Sequence, residues 1–170
     1  LFEKGFIPKV HQQQYQQLMD QIIALVKPKL KKASNFPQIR LHGDFHPGNI
    51  LQRDDEIAIV DTDDCANGPA IQDLWLLLSG EKEHMAYKIL KCIEGYNDFY
   101  DFNTQEVELI ESLRTLRLVH YSYWLAKRWD DPAFPMHFPW FNTESYWDDH
   151  ILTLREQLIR LEDDPIKLYP

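Results

Sequence analysis

The sequence predicts an α+β protein that is mostly helical around one small β-hairpin. Over most of the chain, apolar residues recur at three- and four-residue steps, which is typical of helices that pack one face on a core. The stretch 41–64 differs, because two short apolar runs there flank the charged turn Arg53-Asp54-Asp55-Glu56. With 170 residues the chain has the length of one domain, and a chain of this size buries roughly 70% of its unfolded surface.

The net charge limits the classes of partner that the chain can bind, and the cysteines indicate its cellular compartment. The 18 basic and 27 acidic residues give a net charge of −9, which argues against nucleic acid or an anionic membrane as the main partner. No apolar run approaches the ~20 residues of a membrane span. Cys65 and Cys92 lack metal-site spacing and predict reduced thiols, hence a cytoplasmic protein. Because the chain opens on Leu1 rather than Met, we expect the true N-terminus to lie upstream.

The segments before the hairpin predict one helix and one short strand. An apolar stripe predicts a helix over residues 11–30, and Pro28 is expected to end or kink it. Residues 34–37 suit a linker, and residues 39–41 suit a short strand. The stripe consists of Tyr15, Leu18, Ile22, Leu25 and Val26.

The segments after the hairpin predict helices in succession. Residues 61–68 suit a polar loop, and Pro69 suits the first turn of a helix that reaches about residue 79, with Gly80 as its stop. A second helix is predicted over 82–96. A long helix capped by Asn103 or Thr104 should run to about residue 129. Three prolines then predict an irregular stretch over 132–139, before a last helix at about 144–162.

The hairpin predicts a site for a hard cation. If Ile50-Leu51 pairs with 57–60 as antiparallel strands, Asn49 and Asp61 lie side by side at one end. An amide oxygen and a carboxylate so placed suit Mg²⁺, which shares its oxygen ligands with substrate phosphates. Asp44, five positions before Asn49 in a loop, would face the same spot as a general base.

These residues follow the order of a kinase catalytic loop. The protein-kinase signature is H-R-D-x-x-x-x-N followed by D-F-G, and this chain has His42-Gly43-Asp44, then Asn49, then Asp61-Thr62-Asp63. With His46-Pro47-Gly48-Asn49 and Gln72-Asp73-Leu74-Trp75, the chain resembles the aminoglycoside phosphotransferase/choline kinase-like family. The late motif 131–140, which is rich in Pro and aromatic residues, is similar to bacterial Ser/Thr protein kinases of that branch. The resemblance covers nearly the whole chain, but only the C-terminal lobe of such a kinase.

The resemblance implies a protein-kinase-like C-terminal lobe and a role for each site residue. ATP is the implied co-substrate and Mg²⁺ the implied metal. Asp73 is implied to support the catalytic loop through its backbone. The implied catalytic residues are Asp44 and Asp61, the metal ligands Asn49 and Asp61, and the nucleotide contacts Leu51, Val60 and His46.

Several of these roles stay open at this point. His46 suits either a contact with the transferred phosphoryl group or a structural hydrogen bond. Asp63 suits either a metal contact or a solvated or capping role. Thr62 and Asp63 depart from the Phe and Gly of D-F-G. Thr62 puts in doubt the conformational flip of this motif that an apolar residue anchors in protein kinases.

The groups that bind the β- and γ-phosphates are missing from the sequence. None of the six glycines forms a G-x-G-x-x-G or G-x-x-x-x-G-K run, and no V-A-I-K-like strand lysine is present. We therefore expect the N-terminal nucleotide lobe to be absent from this chain, residues 1–170 to form the C-terminal lobe alone, and the fragment to be inactive by itself. We expect a monomer. The acceptor hydroxyl is either Ser/Thr of a protein or a small molecule of the aminoglycoside, choline or homoserine kind.

Two other classes of function compete with the kinase interpretation. His42, Asp44 and His46 alternate, so on a strand they would share one face and suit the metal of a hydrolase. That hypothesis assigns no role to Pro47-Gly48 or to the hairpin. A non-catalytic interaction module is the other alternative, and the intact set of Asp44, Asn49 and Asp61 argues against it.

Overall fold

A computed structural model describes residues 1, 2 and 4–168 of the chain. Helices hold most of these residues, and the strands form two separate two-stranded antiparallel sheets. The elements in chain order are α1 (Gln12–Ala33), β1 (Ile39–Leu41), β2 (Ile50–Arg53), β3 (Glu56–Ile59), β4 (Ala66–Gly68), α2 (Ile71–Leu74), α3 (Lys82–Tyr96), α4 (Ile110–Arg128), α5 (Ala133–His137) and α6 (Glu144–Glu162). Short 3₁₀ helices cover Pro47–Asn49, Trp75–Leu77 and Thr104–Leu109.

The chain divides into two compact units. The first unit contains Leu1–Pro28 and Glu111–Asp163, and the second contains Lys29–Ile110 with the described residues from Asp164 onward. Both are discontinuous in sequence.

In the first unit, α4 and α6 run antiparallel. Gln157 on α6 donates to the Glu111 carboxylate at 2.8 Å, and Ser122 lies 2.7 Å from the hydroxyl of Tyr146. The residue numbers of the contacting positions therefore increase along one helix as they decrease along the other. Thr143 begins α6 by accepting from the Tyr146 N–H, which confirms the predicted start of the last helix. The apolar side chains buried in this unit include Tyr15, Leu18, Ile22, Val26, Leu125, Phe141, Trp147, Ile151, Leu154 and Leu161.

A buried polar cluster joins three segments of this first unit. The Nε2 of His150 lies 3.3 Å from the Ser122 hydroxyl and 3.4 Å from the Tyr15 hydroxyl. The Tyr146 ring stacks on the imidazole at an interplanar angle of 9°. Because His150 is only 7% exposed, burial lowers its pKa to about 4. Burial likewise raises the pKa of Tyr15 and of Tyr146.

The second unit holds both sheets. Strands β2 and β3 pair with Ile50 opposite Ile59 and Arg53 opposite Glu56, so the predicted hairpin is present. Its turn is Asp54-Asp55, and Asp54 has φ +53°. Strands β1 and β4 pair with Leu41 opposite Ala66 and Ile39 opposite Gly68.

Strand β4 corrects the prediction that 61–68 is a polar loop throughout. Its Ala-Asn-Gly sequence has low strand propensity. A local pattern cannot predict such a strand, because its hydrogen bonds go to β1, which lies far away in sequence.

Two expectations about proline also differ from the structure, since α1 does not end at Pro28 and the stretch 132–139 is not irregular throughout. Helix α1 continues past Pro28 to Ala33. Residues 24 and 28 are both exposed, so water can bond the carbonyl that Pro28 leaves without a donor. The stretch 132–139 contains a short helix, α5, and Asp131 accepts from its first N–H. Pro135 fits there because N–H groups in a first helical turn have no partner within the helix.

The helices predicted at 69–79 and 103–129 are each shorter than predicted, because a 3₁₀ segment takes up one end. Helix α2 ends at Leu74 and the 3₁₀ helix Trp75–Leu77 follows it, whereas the 3₁₀ helix Thr104–Leu109 precedes α4. The predicted cap at Asn103 is confirmed, since its side chain accepts from the Gln105 N–H. None of the helices in the described ranges combines the length and apolarity that crossing a membrane requires.

We predict that His150 makes the stability of the protein acid-sensitive. An unfolded histidine titrates near 6.5, whereas the folded pKa is about 4. Above pH 6.5 the imidazole is neutral in both the folded and the unfolded protein, so its titration does not change the free energy of unfolding. As the pH falls from 6.5 to 4 the unfolded state gains the proton first, so folding loses roughly 3 kcal/mol.

Urea unfolding of wild type and His150→Gln at pH 7, 5.5 and 4 measures this loss. The difference in the free energy of unfolding between the two proteins should change by that amount as the pH falls from 7 to 4. His84→Gln, at an exposed histidine, is the matched control and should show no such shift. Parallel pH profiles for wild type and His150→Gln would contradict the assignment.

Candidate active site

The Asp73 carboxylate holds the backbone of the loop that contains Asp44. Its Oδ2 accepts from the His42 N–H at 2.7 Å, and its Oδ1 accepts from the Gly43 N–H at 2.9 Å. Hydrogen bonds to a charged group contribute about 1.5–3 kcal/mol each. This geometry agrees with the support role that the family resemblance implies for Asp73.

His42 also supports this loop through its side chain. Its Nε2 lies 2.9 Å from the Val60 carbonyl oxygen, which can only accept, so Nε2 carries the proton. Its Nδ1 therefore accepts, and the Asp44 N–H lies 3.4 Å from it. The ring thus ties the loop to the residue that follows β3.

The main-chain carbonyl of Asp44 receives two donors. The His46 N–H lies 2.9 Å from it, and the Asn49 side-chain Nδ2 lies 3.0 Å from it. Asn49 is 7% exposed, so its amide is held in place by packing as well as by this bond. Since Nδ2 faces Asp44, Oδ1 is the amide atom available to a cation.

The His46 imidazole lies between Gly48 and Asp44. Its Nδ1 accepts from the Gly48 N–H at 3.0 Å, at the start of the 3₁₀ helix Pro47–Asn49. The neutral ring therefore carries its proton on Nε2, which lies 3.5 Å from the Asp44 Oδ2. A side chain at Gly48 would meet the imidazole, with Cβ only 2.7 Å from its Cε1. The Asp44 side chain itself is 22% exposed.

Gly43 lets the Asp44 loop and the Asp61–Asp64 loop touch. It has φ +90°, and a Cβ on residue 43 would overlap the carbonyl of Asp64. A glycine is therefore needed there both for its backbone conformation and for the close approach. No other residue type fits both conditions.

Asp61 follows the hairpin in a left-handed conformation. The Val60 N–H donates to the Asn49 carbonyl at 3.1 Å, so Asn49 stands opposite Val60 and Asp61 comes one residue later. Strand alternation alone would put residue 61 on the face opposite Asn49. The φ of +64° at Asp61 ends the strand and releases its side chain from that alternation. Such values are uncommon outside glycine, and Asp tolerates them better than most residues.

The same register puts Leu51 and Val60 on the face that carries Asn49. Leu51 is 52% exposed and Val60 is 37% exposed. The sequence-predicted nucleotide contacts thus form an open apolar surface beside Asn49. Asp63 is exposed as well.

Among residues 1, 2 and 4–168, no three or more His, Cys, Asp or Glu side chains gather as a metal site would. His42, Asp44 and His46 do not form the shared strand face that the hydrolase hypothesis needs, because residues 42–46 lie between β1 and the 3₁₀ helix Pro47–Asn49. Both nitrogens of His42 and the Nδ1 of His46 are also bonded within the fold.

Sequence analysis missed two residues that shape this site. In the sequence, Gly43 is visible only as the middle residue of His42-Gly43-Asp44, and its place before Asp44 is the signal for its role. Glu106 is 2% exposed and accepts from the Ile71 N–H, two residues before Asp73. An acid in a first helical turn is ordinarily a solvated dipole partner, so the sequence carried no signal for its burial.

Comparison with known proteins identifies relatives of this chain. Residues 6–109 match the model of the Phosphotransferase enzyme family. Stress response kinase A of Escherichia coli is 45% identical over 171 aligned residues, which cover 100% of this chain and 51% of that protein. The Serine/threonine protein kinase RdoA of Salmonella typhimurium is 49% identical over 137 residues, covering 81% of this chain and 42% of that protein.

The chain thus spans about half the length of the curated relatives it matches. Stress response kinase A of Shigella flexneri gives the same picture, with 44% identity and 51% of its length covered. The family model covers the greater part of the chain, including the segments with Asp44, Asn49, Asp61 and Asp73. This chain therefore belongs to the Phosphotransferase enzyme family.

Proposed function

We propose that the full-length protein is an ATP-dependent kinase that transfers the γ-phosphoryl group to Ser or Thr hydroxyls of proteins. The observation that carries the proposal is the hydrogen bond from Asn49 Nδ2 to the carbonyl of Asp44, which ties the proposed base to the proposed metal ligand. The protein acceptor rests on the names of the relatives, one of which is a serine/threonine protein kinase. The place of action is the cytoplasm, where ATP is available and free thiols such as Cys65 persist.

Asp44 acts as the base in this proposal. The acceptor hydroxyl oxygen attacks the γ-phosphorus, the bond to the bridging oxygen of ADP breaks, and the Asp44 carboxylate takes the hydroxyl proton. The partial exposure of Asp44 supports this role, because a substrate hydroxyl can reach the carboxylate. Its fixed main chain supports it further, since positioning is a large part of phosphoryl-transfer catalysis.

Asn49 and Asp61 would hold Mg²⁺, and Asp61 thereby serves catalysis. Their oxygen atoms match the ligand preference of this cation, and Asp63 is a further oxygen donor in the same loop. When bound there, Mg²⁺ would supply positive charge that offsets the charge developing on the phosphates. The left-handed backbone at Asp61 supports a functional assignment, because strained conformations concentrate at active sites.

Leu51 and Val60 would form the apolar floor under adenine. Their exposure on the Asn49 face supports this, since a nucleotide seated there would cover apolar area that is otherwise open to water. His46 would contact the transferred phosphoryl group through Nε2–H, the proton that its bond to Gly48 places beside Asp44.

Acceptor choice is tested with the full-length protein, labelled ATP and Mg²⁺. We expect label transfer to a Ser/Thr peptide library and none to choline, homoserine or an aminoglycoside. Acceleration of ADP release by one of the small molecules alone would replace the protein-kinase assignment with a small-molecule kinase. ATP turnover by the 170-residue chain alone would contradict the expectation that this fragment is inactive.

Asp61→Asn in the full-length protein should abolish Mg²⁺-dependent transfer while the fold persists. Asn keeps the size of the side chain and tolerates φ +64°, so the change removes mainly the charge. Asp54→Asn is the matched control, because Asp54 is the other described aspartate with positive φ and lies in the β2–β3 turn. Titrating activity with Mg²⁺ measures the effect. Wild-type turnover by folded Asp61→Asn would refute the assignment.

Asp44→Asn should lower kcat by roughly 10²–10⁴ with little change in nucleotide affinity, since losing a general base typically has that effect. Single-turnover transfer and a nucleotide titration with Mg²⁺ separate the two quantities. Asp55→Asn, in the exposed hairpin turn, serves as the control. Joint loss of metal and nucleotide binding would instead make Asp44 a ligand and leave the base unidentified.

A further inference from the structure

Glu106 is a buried carboxylate that caps a helix from a distance. It lies in the 3₁₀ helix Thr104–Leu109, is 2% exposed, and its Oε2 accepts from the Ile71 N–H at 3.0 Å. The Ala70 N–H bonds the same carboxylate. Burial raises the pKa of Glu106, and these two N–H bonds oppose that rise. A carboxylate is costly to bury without such partners.

Helix α2 depends on this cap. Its own N-cap residue, Ala70, offers no side-chain hydrogen bond. With only four residues, Ile71–Leu74, α2 is far below the length at which a helix is stable by its own hydrogen bonds. External contacts must therefore set its position and orientation. Asp73, which holds the catalytic-loop backbone, is part of this short helix.

The charges of Glu106 and Asp73 both affect a third side chain. Tyr96, near the end of α3, has a raised pKa, first through burial, then through the charge of Glu106, with a smaller contribution from Asp73. The Tyr96 ring packs edge-on against Phe102 with ring centroids 5.7 Å apart. The 3₁₀ helix Thr104–Leu109 also contacts α2, so Glu106 and Asp73 lie on neighbouring elements.

We infer that Glu106 is a positioning residue for the catalytic loop, acting through α2 and the Asp73 carboxylate on the N–H groups of His42 and Gly43. Glu106 accepts from the Ile71 N–H, and Asp73 accepts from the N–H groups of His42 and Gly43. Loss of the cap lets α2 shift and weakens the two bonds that hold the residues before Asp44. The catalytic part of this inference rests on the proposed kinase function, whereas the effect on loop order does not.

Amide hydrogen exchange in the full-length protein tests the effect on loop order without any assay of activity. In Glu106→Gln, the amide loses the charge and keeps only one acceptor oxygen, so the cap is weakened at nearly constant volume. The His42 and Gly43 amides should exchange at least about tenfold faster, while hairpin amides such as that of Ile57 keep their rates. Glu108→Gln is the matched control, since Glu108 lies in the same 3₁₀ helix, is partly exposed and faces Lys32 at 4.0 Å.

Steady-state kinetics of the same proteins test the catalytic part. Folded Glu106→Gln should lose about 10- to 100-fold in kcat at nearly unchanged KM for ATP, as expected when a catalytic group is slightly misplaced. In an Asp73→Asn background the same change should cost less than about twofold, because the route to the loop is already cut. A purely structural Glu106 would lower the melting temperature without this kcat effect or this dependence on Asp73.

The outcomes distinguish a failure of the positioning role of Glu106 from a failure of the proposed kinase function. Unchanged exchange at His42 and Gly43 in Glu106→Gln, or an undiminished kcat effect in the Asp73→Asn background, would overturn the positioning role. A wild-type protein that shows protected loop amides but no phosphoryl transfer would overturn the proposed function instead. If Glu106→Gln does not fold, Glu106→Asp serves in its place, because its shorter carboxylate cannot reach both N–H groups.

Discussion

The site depends on one bidentate contact, in which the two oxygens of Asp73 accept the consecutive N–H groups of His42 and Gly43. The loop that carries Asp44 belongs to no strand or helix, so it has no ladder of its own to fix it. A carboxylate from the neighbouring short helix supplies the missing acceptors. The remaining contacts build on that fixed start, since the side chain of His42 and the carbonyl of Asp44 are defined only once the backbone before them is held.

Main-chain groups, rather than pairs of opposite charges, organise this region. The Asp44 carbonyl accepts from His46 and Asn49, and the Val60 carbonyl accepts from His42. These bonds use main-chain oxygens and the Nδ2 of Asn49 rather than the carboxylate of Asp44. A backbone held by such bonds is less sensitive to salt than one held by surface ion pairs.

Elements that are specified by neighbouring residues could be predicted from the sequence. The helical stripe around Tyr15, the hairpin and the cap at Asn103 are recorded in spacing and residue type. Strand β4 and the burial of Glu106 were not predicted, because their partners lie far away in sequence. The support role of Asp73 was available only through family resemblance, since an aspartate near a helix start has an ordinary local explanation. The roles of Asp44, Asn49 and Asp61 stay predictions, because they concern atoms of ligands as much as atoms of the chain.

Gly43 has an evolutionary consequence. Two independent constraints act on it, namely φ +90° and the Asp64 carbonyl that fills the space of a side chain. A compensating change near Asp64 would relieve the overlap but leave the backbone conformation unfavourable. Relaxing the backbone would instead pull the Gly43 N–H away from Asp73. No single second-site suppressor restores both, so a lineage that kept this loop would have no neutral path away from glycine at position 43.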